Sequence, residues 1–140
     1  MKNIFKLFVS FCFLVFGVSC ANEKVDENQV LKQEVIEIHD EVMPKMGELR
    51  SLKKSLLERV DLMEEDSLTN KEAVERMIKY ADDLEEAFEG MFVWMRQFQS
   101  NFEGSEEEVH QYLIEQKVLV EKVNRDIKNS IENAKKELGS

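Results

Sequence analysis

The chain has 140 residues, with 19 Lys and Arg against 29 Asp and Glu, two His, two Cys, five Gly and one Pro. That length allows one ordinary domain, and a net charge of -10 offers no basic footprint for DNA or RNA. So little Pro and Gly argues against a loop-rich β-sandwich and for long helices.

Residues 1–19 contain no acid, and Lys2 and Lys6 precede an apolar run from Leu7 to Phe16. A basic start, a short apolar core and the small-residue exit Gly17-Val18-Ser19 make a secretory signal peptide. The run is shorter than the ~20 apolar residues that a membrane-crossing helix requires. Val18-Ser19-Cys20 resembles the end of a bacterial lipobox, with Gly17 standing where that pattern usually has an aliphatic residue. The resemblance implies that Cys20 becomes the acylated first residue of the mature protein. Its acyl chains would anchor the protein, each buried methylene contributing ~0.8 kcal/mol. Ala21 after the cysteine implies, by the same likeness, the outer rather than the inner membrane. The alternative is ordinary cleavage near Ser19 or Ala21, which leaves a soluble periplasmic protein. Either way Lys2, Lys6 and Cys12 depart with the signal, so 17 bases remain against 29 acids, a net charge of -12.

Residues 20–29 read as a lipidated N-terminus and polar tether, and residues 30–140 as the folded part. The first helical seam is Leu31, Val35, Ile38, Val42, Met46, Leu49, Leu52, Leu56, Val60 and Met63, in steps of three and four. Thr69-Asn70-Lys71-Glu72 forms a capping box for the next helix. The second seam runs Val74, Met77, Ala81, Leu84, Phe88, Met91, Met95, Phe98, Phe102, a heptad-like alternation. Ser105-Glu106-Glu107-Glu108 is a second capping box, with its acids well placed for a helix N-terminus. The third seam is Val109, Leu113, Gln116, Val120, Val123, Ile127, Ile131, Ala134, Leu138. Three helices of roughly 33–39 residues with short connections predict an all-α fold, an elongated antiparallel three-helix bundle with coiled-coil-like packing.

Antiparallel pairing about the first turn joins positions whose numbers sum to about 134, and about the second turn to about 208. This brings His39, Met43 and Met46 level with Met91, Met95 and Trp94, and Pro44 across from Gly90. Thioether sulfurs and an imidazole are the ligands that Cu(I) or Ag(I) selects. His39, Met43 and Met46 share a helix face, and Trp94 can cap a soft cation with its ring. Pro44 has no N–H for the Asp40 carbonyl, so a kink is expected beside the methionines. The same residues also suit a plain core, because methionine fills gaps beside kinks and large rings. On that second reading His39 is a seam-edge residue whose nitrogens meet water or another helix, with Asp40 on a different face.

The sequence has no glycine-rich phosphate loop, Cys-x-x-Cys, or His-Glu-x-x-His pattern, and no nucleophile–base set, so no enzyme is expected. The acidic clusters Glu64-Glu65-Asp66, Asp82-Asp83, Glu85-Glu86 and Glu106-Glu107-Glu108 lack the alternating oxygen ligands of a calcium loop and read as solvated faces and caps. Lys53-Lys54 and Lys135-Lys136 are too sparse for a phosphate footprint.

His39-Asp40-Glu41-Val42-Met43-Pro44-Lys45-Met46, Trp94-Met95-Arg96-Gln97-Phe98 and Ile127-Lys128-Asn129-Ser130-Ile131-Glu132-Asn133-Ala134 resemble a family of small helical lipoproteins of Gram-negative bacteria, often labelled "viral A-type inclusion protein". The resemblance spans the signal and all three helices and implies a lipid-anchored helical envelope protein. It implies no activity. The leading expectation is therefore a non-enzymatic helical binding module on the outer membrane, facing the periplasm or the cell surface. Tyr80, Phe92 and Trp94 are its candidate contacts to an envelope protein or a second copy. The rival is a soft-metal binder or sensor built on His39, Met43, Met46, Met91 and Met95, with Cu(I) or Ag(I) as its ion.

Overall fold

A computed structural model describes residues 26–64 and 71–139. The signal, Cys20, most of the tether and the first half of the Thr69 capping box lie outside the described residues. Among the described residues, four α-helices and one 3-10 turn make up three rods, each antiparallel to the next: α1 (Glu27–Val42), a 3-10 turn (Met43–Lys45), α2 (Met46–Glu64), α3 (Lys71–Gln97) and α4 (Glu106–Leu138). The bundle expected from the seams is present, with no strand among the described residues.

The first rod begins at Glu27, three residues earlier than the seam suggested. Asp26 is the reason. Its carboxylate accepts the Asn28 and Gln29 N–H groups at 3.0 and 3.3 Å, and Glu27 sits favourably in the first turn. The rod is interrupted at Pro44, as expected of a residue that cannot donate to the Asp40 carbonyl. Met43 still donates to the His39 carbonyl, while Met46 donates to the Met43 carbonyl and tightens the turn to 3-10 geometry.

The second rod is shorter than its apolar seam. α3 ends at Gln97, so Phe98 and Phe102, expected on the helix, belong to the connection after it. Both rings fold onto Tyr112 of α4, with centroids 6.4 and 4.2 Å away and near-parallel planes. The Tyr112 hydroxyl accepts the Gln99 N–H at 2.6 Å, pairing a backbone donor that lies beyond the helical ladder. Aromatic stacking here outweighs continuation of the helix. α4 then starts on the expected capping box: Ser105 accepts the Glu108 N–H at 3.3 Å and the Glu108 carboxylate accepts the Ser105 N–H at 2.8 Å. The Ser105 N–H and the Ser105 hydroxyl both donate to the Glu108 carboxylate and hold it below its ordinary range, the backbone donor foremost. Gly139 closes α4 with φ 74, a left-handed conformation that a side chain would strain.

The rods pair in the anticipated register. Lys53 meets Glu85 at 2.9 Å and Arg50 lies 4.3 Å over Phe88, so α2 runs antiparallel to α3. Arg76 forks onto Glu137 at 2.8 and 2.9 Å, so α3 runs antiparallel to α4. Glu34–Lys117, Glu41–Lys128 and Glu48–Lys135 pairs climb in step, making the first and third rods parallel. Leu49, Leu56, Leu84, Met91, Ile127, Val35, Val42 and Val120 are fully buried along the common axis. Asn124 is buried where the seam had placed Val123, which is only half-buried. Its amide donates to the Ile38 carbonyl and to Glu41, each at 2.9 Å, and this polar clamp sets the register of α4 against α1.

Candidate functional site

His39 and Trp94 meet between α1 and α3, with ring centroids 5.5 Å apart and planes tilted by 35°. Trp94 stacks in turn on Phe98 at 4.9 Å, so four rings lead from His39 to Tyr112. Two elements position this row. The Met43 N–H bond to the His39 carbonyl keeps residues 39 and 43 one turn apart on the same face. On α3, Met91 stands nearly one turn before Trp94, the residue that meets His39.

Of the five residues expected as soft-metal ligands, the four methionines belong to the core or pack on it, and His39 meets Trp94. Met91 is fully buried and Met46 nearly so, while Met43 and Met95 are half-buried against the same core. His39 is 20% exposed. Its Nδ1 lies 2.8 Å from the Asp40 carboxylate, so the expectation that Asp40 points to another face is corrected. Adjacent helical residues do diverge, but this long ring swings back to the exposed carboxylate beside it. His39 Nε2 and the Trp94 indole N–H are buried and have no hydrogen-bond partner. Among the described residues no three His, Cys, Asp or Glu side chains gather into a metal site. A thioether–imidazole set is a different donor chemistry, outside that description.

The three residues expected to contact a partner are already engaged. Trp94 is 5% exposed and packed within the core, which removes it from any surface. Phe92 packs on Phe88 at 4.8 Å, and Tyr80 is half-buried against the core. A three-rod bundle buries more than one stripe of its middle helix, and these rings broaden that stripe.

Apolar surface is exposed elsewhere. Val30 of α1 and Ile114 of α4 line a shallow groove with Leu31, His110, Glu27 and Glu34. Val118, one turn beyond Ile114 on the same face, is 58% exposed. The sequence carries a signal for this patch: Leu113-Ile114 and Val118-Leu119-Val120 put more apolar residues in a row than one face can bury. Acid rims it. Glu34, Glu37, Glu41 and Glu121 border the neighbouring depression, with Lys117 tied to Glu34. Lys128 and Asn124 hold the Glu41 carboxyl below its ordinary value by hydrogen bonding, so it stays charged into mild acid.

A cleft of about 730 Å³ opens where α1 begins, lined by Asp26, Gln29, Lys32, Ser100, Phe102 and Leu113 among others. Its walls mix charges of both signs with one ring face, and they converge on no single atom position. Nearby, Asn28 Oδ1 accepts from His110 Nδ1 at 2.9 Å and the Asn28 amide donates to the Glu106 carbonyl at 3.0 Å, stitching α1 to α4. His110 is thereby committed to holding helices together.

None of the described helices is long and apolar enough to cross a membrane. No protein-family model, curated protein or solved structure matches this chain, so the functional reading rests on its own residues.

Proposed function

We propose that the chain is a non-enzymatic binding module of the cell envelope, held to the outer membrane by lipid on Cys20. The observation that carries the binding role is the apolar patch Val30–Ile114–Val118 with its carboxylate rim. Scattered exposed apolar residues are ordinary, but three in succession beside a groove form a docking face. The acidic rim selects a partner whose apolar contact is bordered by Lys or Arg, such as an amphipathic helix of another envelope protein. Tyr80 and Phe92 contribute by stiffening the rod that backs this face rather than by touching the partner.

Two measurements test the reading. Labelled palmitate should enter the full chain and fail to enter C20S, which should leave the membrane fraction. A photo-crosslinker at Val118 should trap a discrete partner in whole cells, and V118E or raised salt should abolish that product. A crosslinker at exposed Ser55 should trap none. Palmitate incorporation into C20S would overturn the anchor. A Val118 product indifferent to V118E and salt would overturn the docking face.

A further inference from the structure

We infer that His39, Met43 and Met91 form a binding site for a soft monovalent cation, Cu(I) or Ag(I), oriented by Asp40 and backed by the Trp94 ring. The inference does not depend on the envelope-binding reading. It begins with the tautomer of His39. In the tautomer whose Nδ1–H donates to the Asp40 carboxylate 2.8 Å away, the lone pair lies on Nε2, which is buried and meets no donor. A buried acceptor left bare is unfavourable, and a soft metal ion is a partner that can take such a lone pair. Ligating histidines commonly donate their other N–H to a carboxylate, which fixes the ring and raises its basicity, and Asp40 stands in that position.

The other donors follow from helical spacing. Met43 is one turn from His39 on the same face, and Met91 stands nearly one turn along α3 from Trp94, whose ring meets His39. Met91 is fully buried and Met43 half-buried, so neither thioether is spent in water. Trp94, 5.5 Å from the His39 ring, offers a π face to a cation. An imidazole with two thioethers suits d¹⁰ monovalent ions and disfavours Zn(II), Mg(II) and Ca(II), which take harder ligands. The 3-10 turn at Met43–Lys45 sits beside the donors, where a helix ladder is already interrupted and side chains can adjust.

The test uses the full chain in detergent with C12S and C20S, so that no thiol competes, and silver nitrate in chloride-free buffer. Trp94 is the only tryptophan, so its fluorescence reports the site directly. Quenching should saturate at one Ag(I) per chain, with methyl shifts at Met43 and Met91 and little change at Met63 and Met77. M43L with M91L keeps volume and should fold normally by circular dichroism. That pair and H39L should each weaken Ag(I) binding at least tenfold, D40N should weaken it roughly tenfold or more, and M63L with M77L should leave it unchanged. Quenching that survives both H39L and the methionine pair would overturn the site. So would an absent response in the parent chain, or Zn(II) binding as tight as Ag(I).

Discussion

Pro44 divides the bundle into two halves that fill the same kind of interior with different side chains. Below it, α2 packs on α3 and α4 through Leu49, Leu56, Val60, Met77, Ala81, Leu84, Ile127, Ile131 and Ala134. Small and aliphatic groups at facing positions let backbones approach, and among the described residues no buried polar side-chain atom there lacks a partner. Above it, α1 lies mainly on α4 and reaches α3 through the His39–Trp94 contact. That half holds the row of rings, Gln116 and Asn124. Among the described residues, the buried side-chain atoms without a partner, His39 Nε2, Trp94 Nε1 and Gln116 Oε1, belong to it. The difference teaches where to look for function: the aliphatic half is explained by stability alone, whereas the aromatic half carries polar groups whose burial stability does not explain.

The comparison can be broken most forcefully in the aliphatic half. Leu84 is 1% exposed, and Leu84→Ala should lower unfolding free energy by about 2–5 kcal/mol in urea titrations. A cost below about 1 kcal/mol would mean that this half is no better packed than the other. Asn124→Ala comes next. It removes the clamp on Ile38 and Glu41 and should cost about 1 kcal/mol, because Glu41 is exposed and regains water.

Pro44→Ala should be nearly silent in stability, within about 1 kcal/mol. Restoring a helical N–H bond contributes about 0.5–1.5 kcal/mol, and the freer unfolded chain offsets about 0.4–1 kcal/mol of it. Its effect should appear in Trp94 emission, since straightening the rod moves His39 against the ring. An unchanged spectrum would mean that the turn does not position the site.

The smallest effect is electrostatic. Arg76 holds the Glu137 carboxyl below its ordinary value of 4.5, chiefly by hydrogen bonding, and Lys128 with Asn124 does the same to Glu41. A carboxylate whose folded pKa is depressed contributes stability that is present above pH ~4.5 and lost as pH falls through the folded value. Glu137→Gln and Glu41→Gln should therefore each flatten the fall of Tm below pH 4.5 and leave its slope near neutrality unchanged. A steeper acid limb in either variant would contradict these assignments.

The architecture was legible because it depends on periodicity. Leu49, Leu56, Leu84 and Ile127 stand at steps of three and four and are buried as that pattern requires. The same pattern failed where polar atoms or stacking compete with it. It ran through Phe98 and Phe102, although Tyr112 draws those rings off the helix, and it preferred Val123 to Asn124, although an amide with two partners is readily buried. Of the candidate site, the meeting of His39 with Trp94 followed from turn positions, since antiparallel rods leave little freedom in register. The His39–Asp40 contact did not, because helical geometry gives the direction of Cβ and not the reach of a rotamer.

The climbing pairs Glu34–Lys117, Glu41–Lys128 and Glu48–Lys135 give the molecule a polarity. The start of α1 and the Phe98–Ser105 connection share one end, while Gly139 closes the other. α4 alone, 33 residues at ~1.5 Å each, spans about 50 Å between them. A molecule held by its first residues would stand like a post, the ringed half at its foot and the aliphatic half at its tip. A fluorophore fused after residue 140 would then ride about 50 Å above the lipid headgroups, a height that energy transfer from a membrane dye measures directly.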